Sequence, residues 1–119
     1  MPKRRLYDES VSVELSGSAP FYVKSARSVQ KGWVRYVTSA SIVNRDDDNH
    51  SFAFGKLTGK IFIQMEGEYQ TKKDVGSFTR NTHHFIADES PVWYCISADA
   101  DDKFDAYFEG YEVEIEEQE

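Results

Sequence analysis

A chain of 119 residues is enough for one domain that buries a core without disulfides or a structural metal, and too short for two. Its net charge of −7 argues against a general nucleic-acid-binding face, and no apolar run approaches the roughly 20 residues of a membrane-spanning helix. The lone Cys95 rules out an intrachain disulfide, and no hydrophobic segment follows Met1-Pro2-Lys3-Arg4-Arg5, so a soluble chain without a secretion signal is expected.

Residues 1–10 carry a basic triplet and no periodicity, and read as a flexible arm ahead of a domain over 11–119. Val11, Val13 and Leu15 then alternate with polar residues, the spacing that buries one face of an extended strand and wets the other. Gly17-Ser18-Ala19-Pro20 turns the chain into a short strand, Phe21 to Lys24. After Gly32, Trp33 to Asn44 predicts a long central strand with Val34, Tyr36, Ala40 and Ile42 on one face and Trp33, Arg35, Val37 and Val43 on the other. Asp46, Asp47, Asp48 and Asn49 end it in a turn. Phe52 and Phe54 mark a return strand, Lys60 to Glu66 the next, and Ser77 to Ala87 another after a polar connection.

Asp88-Glu89-Ser90-Pro91 predicts a tight turn before the strand Val92 to Ala98, where Cys95 is expected as an inert core residue. Asp99-Ala100-Asp101-Asp102 leads into a last strand, Phe104 to Glu116. Its apolar residues switch from even positions (Phe104, Ala106, Phe108) to odd ones (Tyr111, Val113, Ile115), which predicts a bulge at Glu109-Gly110. The sum is an all-β, antiparallel, jelly-roll-like sandwich of about eight strands, with no predicted helix and a core rich in aromatics.

Candidate chemistry is sparse. The turns holding Asp46, Asp48, Asp99 and Asp101 offer oxygens to calcium, but neither fits an EF-hand loop, and solvated hairpin tips explain them as well. His50, His83 and His84 suggest zinc or iron bound as in cupin-type oxygenases. Adjacent strand residues face opposite ways, however, so His83 and His84 do not share one site, and no metal or other cofactor is expected. No serine lies in a nucleophile elbow, and the expectation is a non-enzyme. Trp33, Tyr69 and Trp93 are candidate sugar-stacking rings, with core packing as the alternative.

Charge is unevenly spread. Residues 1–35 carry Lys3, Arg4, Arg5, Lys24, Arg27, Lys31 and Arg35 against Asp8, Glu9 and Glu14, whereas residues 99–119 carry ten acids and only Lys103. This asymmetry suits attachment of the basic segment Lys3, Arg4, Arg5, Leu6 and Tyr7 to an acidic partner.

The run Gly32 to Asn44, the pair Phe52 and Phe54, and the late Gly110-Tyr111-Glu112-Val113 strand together resemble the small jelly-roll proteins that decorate or complete tailed-phage virions. The resemblance runs diffusely over residues 11–116. It implies a structural or accessory protein of capsid, neck or tail, made in the host cytoplasm and carried in the virion. Such a subunit binds other virion subunits, is commonly a trimer or ring, and has no catalytic residue to transfer; nucleic acid, membrane and small-molecule ligands are not expected. The alternatives are a carbohydrate-binding or host-recognition module and, third, a cupin-like metalloenzyme.

Overall fold

The computed structural model describes residues 3–115 and folds them into nine strands and no helix. These are β1 (Arg4–Glu14), β2 (Phe21–Lys24), β3 (Trp33–Asn44), β4 (His50–Thr58), β5 (Ile61–Thr71), β6 (Gly76–Phe78), β7 (His83–Phe85), β8 (Glu89–Cys95) and β9 (Lys103–Glu114). One sheet has the order β1-β9-β3-β6, with β7 also on β3, and the other has the order β2-β8-β4-β5. Because β6 pairs with Ser41–Val43 and β7 with Arg35–Val37, they are two halves of one interrupted strand, which reconciles nine strands with the expected eight.

The antiparallel pairs nest. β4 pairs with β5, β3 with β6 and β7, β2 with β8, and β1 with β9, and successive pairs alternate between sheets. A single long two-stranded ribbon rolled up on itself gives this pattern, which is the jelly roll. Between the sheets, Phe52 meets Phe104 edge-on at 5.1 Å, and Phe54 meets Trp93 at 5.2 Å and Phe85 at 6.2 Å. All five rings are fully buried, so aromatics do fill the interlayer space.

Several expectations fail. β5 runs on to Thr71 through residues expected in a polar connection, and β8 opens at Glu89 inside the expected Asp88–Pro91 turn. In β3, Ala40 and Ile42 face inward with Arg35 and Val37, not with Val34 and Tyr36. The first strand starts at Arg4, not Val11, and pairs with β9 along its whole length from Arg4↔Val113 to Glu14↔Lys103; from Arg4 onward the expected free arm is part of the sandwich, while Met1 and Pro2 lie outside the described residues. The parity break also lies elsewhere. β9 keeps its even residues inward from Phe104 through Glu112, and the extra residue is Thr38 of β3, between the pairs Val37↔Gly110 and Ser39↔Glu109. Inward positions of β3 are therefore Arg35 and Val37 before the bulge, and Ala40, Ile42 and Asn44 after it. Tyr111 and Val113 lie on the outer face, where Tyr36 stacks on Tyr111 at 5.0 Å.

Candidate docking surface

Keeping even positions of β9 inward carries a carboxylate into the sandwich, and the chain answers it with an arginine. Arg35, 2% exposed, donates from Nε to Glu112 Oε2 at 3.0 Å and from Nη1 to the Arg27 carbonyl at 2.7 Å and Ser25 Oγ at 3.2 Å. Its guanidinium lies 3.9 Å from the centre of the Tyr7 ring. The Tyr7 hydroxyl donates to Glu9 Oε1 at 2.8 Å and meets Ser25 Oγ at 3.0 Å. Glu9 also accepts from the amides of Ala26 and Arg27. The network thus clamps the 25–30 segment onto β1, β3 and β9.

Its outer rim is the N-terminal half of β1. Arg5 donates to Glu112 Oε1 and to Gln30 Oε1, both at 2.8 Å, and lies 3.8 Å over Trp33. Arg4 lies 4.0 Å over Tyr111, and Arg27 donates to the Asp8 carbonyl. Between them opens a cleft of about 490 Å³ lined by Arg5, Leu6, Arg27, Gln30, Arg35 and Glu112. Leu6 beside it is 89% exposed, the most exposed large apolar side chain described. The cleft lining holds Arg5, Arg27 and Arg35 against Glu112, and with Glu9 of the adjoining network counted the corner still carries a surplus of positive charge in a chain of net charge −7.

The partner-binding residues expected from sequence therefore divide. Lys3, Arg4, Arg5 and Leu6 are exposed at this corner, while Tyr7 is buried as the floor of the network. The candidate sugar-binding rings do not form a platform. Trp93 is fully buried, Trp33 is covered by Arg5, and Tyr69 packs on Trp93 at 6.2 Å while its hydroxyl donates to Glu66. The residues that sequence reasoning missed here are Glu9, Ser25, Arg27, Gln30 and Glu112. The signal available was the even register of β9 carried past Phe108, which sets Glu112 directly across from Arg35 of β3.

The aspartate turns meet at the opposite end of β3, but not as a calcium loop. Asp46 hydrogen-bonds His50, which holds its carboxyl below the usual carboxylate range, whereas Asp48, Asp99 and Asp101 are exposed and join no ligand cluster among the described residues. His83 and His84 face opposite ways. His83 Nε2 lies 2.5 Å from Glu66 Oε2, and His84 sits outside against Tyr36. Burial pushes the Cys95 thiol up to about 12, which suits an inert core residue.

Two carboxylates tie the pH dependence of stability to these contacts. Burial pushes both Glu9 and Glu66 up. The Ser25 and Tyr7 hydroxyls and the Ala26 and Arg27 amides reverse this for Glu9; the Arg80 amide, His83, Tyr69 and the Asn81 amide reverse it for Glu66. Each ends below the ordinary value of 4.5, so its stabilisation is complete above that value and is lost as pH falls through the lower, folded one. Thermal melts should hold a steady midpoint above about pH 5 and fall toward pH 3, and Glu66→Gln should flatten the fall. A midpoint that rose on acidification would contradict the assignment.

Compared with known proteins, the chain matches no family model, no curated protein and no solved structure.

Proposed function

We propose that this protein is a non-enzymatic accessory subunit of a virion, a capsid-decorating, neck or tail component that acts by protein–protein contact, and that the basic corner is where it docks an acidic segment of a neighbouring subunit. The observation that carries this reading is Leu6, 89% exposed on a paired strand and flanked by the arginines of the cleft. An exposed apolar anchor with arginines on one side, and Asp8 and Glu109 on the other, has the composition of an interaction surface whose charges set orientation. The jelly roll suits the role because its walls are rigid and its edge strand β1 presents the anchor in a fixed geometry. A homo-oligomer, with a trimer favoured, is part of the same reading, as is a place in the particle.

Leu6→Asp tests it, since the side chain touches almost nothing within the fold. Gradient-purified particles from cells infected with virus encoding the wild-type chain should contain the protein. Particles carrying the variant should contain at least about tenfold less, corresponding to the loss of about 1.4 kcal/mol or more of contact energy. Absence of the wild-type chain from particles would remove the virion reading; undiminished incorporation of the variant would remove the docking surface.

A further inference from the structure

At the other end of β3 from the basic corner, three side chains from three segments converge. Asp46 lies in the β3–β4 turn, His50 opens β4, and Asp102 closes the β8–β9 turn. One oxygen of each carboxylate and one imidazole nitrogen all lie within 4.8 Å of one another. His50 Nε2 is 2.7 Å from Asp46 Oδ2 and 3.5 Å from Asp102 Oδ2. The imidazole is 4% exposed and is packed edge-on against Phe104 at 5.2 Å, so the core fixes the direction in which Nε2 points.

Hydrogen-bond accounting shows what this arrangement lacks. Nε2 carries at most one proton, yet two carboxylate oxygens approach it, one of which, Asp102 Oδ2, also accepts from the Asp99 amide at 2.9 Å. The other ring nitrogen, Nδ1, is buried with no hydrogen-bond partner among the described residues, so Nε2 is the nitrogen through which the ring meets its polar neighbours. Nor does a neighbouring cation balance the carboxylates. Arg45 is paired with Asp74 and Asp105, Lys73 is paired with Asp47 and attracts Asp46 only at longer range, and no lysine or arginine forms an ion pair with Asp46 or Asp102 among the described residues. Two acids around one imidazole nitrogen leave a charge that one divalent ion matches.

We propose that Asp46 Oδ2, His50 Nε2 and Asp102 Oδ2 bind one divalent transition-metal ion of the zinc or manganese class, which staples the β3–β4 turn to the β8–β9 turn. The ion takes the Nε2 lone pair, the ring's proton then being carried on the buried Nδ1, and draws the three atoms to about 2.0–2.2 Å from itself, leaving a further position for water. An imidazole among three ligands selects against calcium, which takes an all-oxygen shell of six or more. The half-buried carboxylates of Asp46 and Asp102 give the ion its route from solvent.

The test is calorimetric titration of the full chain, freed of metal with a chelator, with zinc ions. Wild-type protein should bind one zinc per chain with a raised melting temperature. Asp46→Asn and Asp102→Asn, which keep size and the ring contacts, should each weaken binding at least about tenfold and lose the thermal shift. Circular dichroism checks that the variants fold; if they do not, the wild-type stoichiometry and a lack of comparable calcium binding decide. No saturable one-to-one zinc binding, or zinc binding unchanged in both folded variants, would overturn the site.

Discussion

Glu112→Ala is expected to cost about 3–5 kcal/mol, the range seen when one partner of a buried ion pair is removed and the other stays behind. Arg35 remains buried and loses the one carboxylate it pairs with among the described residues, keeping the Arg27 and Ser28 carbonyls and Ser25 Oγ as acceptors. Arg5 loses its Nε acceptor as well, which frees the rim of the cleft from the floor. Against a typical domain stability of about 5–15 kcal/mol, this is a large fraction. Urea denaturation followed by tryptophan fluorescence measures it, since Trp33 sits under Arg5. Arg5→Ala, by contrast, removes the half-exposed member of the trio and should cost about 1 kcal/mol or less. Equal costs for the two variants would mean that the Arg35–Glu112 pair is not what holds this end of the sandwich.

Gly110→Ala is the second large effect. Gly110 faces the bulge at Thr38, where β3 presses its backbone against β9; a Cβ added there would lie 1.8 Å from the Tyr36 carbonyl oxygen and 3.1 Å from the Thr38 amide. Those neighbours are backbone atoms of a central strand, so no side-chain rotation relieves the clash. The loss should reach or exceed the ~1–3 kcal/mol usual for an overpacked core. It should also disturb the outer Tyr36–Tyr111 stack, a change visible in near-ultraviolet dichroism. Ala substitution at Gly59, with open space around its Cβ position, provides the control for backbone strain alone. A Gly110→Ala protein as stable as wild type would place the bulge elsewhere.

Period-two alternation revealed the sandwich because most strands bury large residues on one face, and β2 and β3 have the bounds expected of them. It failed at β1 for a definite reason. The inward positions there are Arg5, Tyr7 and Glu9, which face a polar network instead of the aromatic interior, so the first half of the strand shows no hydrophobic rhythm. The same cause made β9 look as if it switched faces when it does not. Glu112 points inward against Arg35 while Tyr111 and Val113 cover the outer face, and apolar residues outside with a charge inside read as a strand turned over. The cleft and the Asp46–His50–Asp102 cluster each join segments far apart in sequence, and pairing of that kind leaves no local mark.

The nested ribbon also sets the order in which the chain matures. β4 and β5 adjoin in sequence and close first at little entropic cost, whereas β9 lies between β1 and β3 and supplies the contacts of both. During synthesis one sheet therefore waits, with the edges of β1 and β3 unsatisfied, until β9 has left the ribosome. Topologies so rich in distant pairings fold in roughly milliseconds to seconds. The nascent protein is most exposed to misassembly in that interval, and a chaperone that shields β3 would have its greatest effect there.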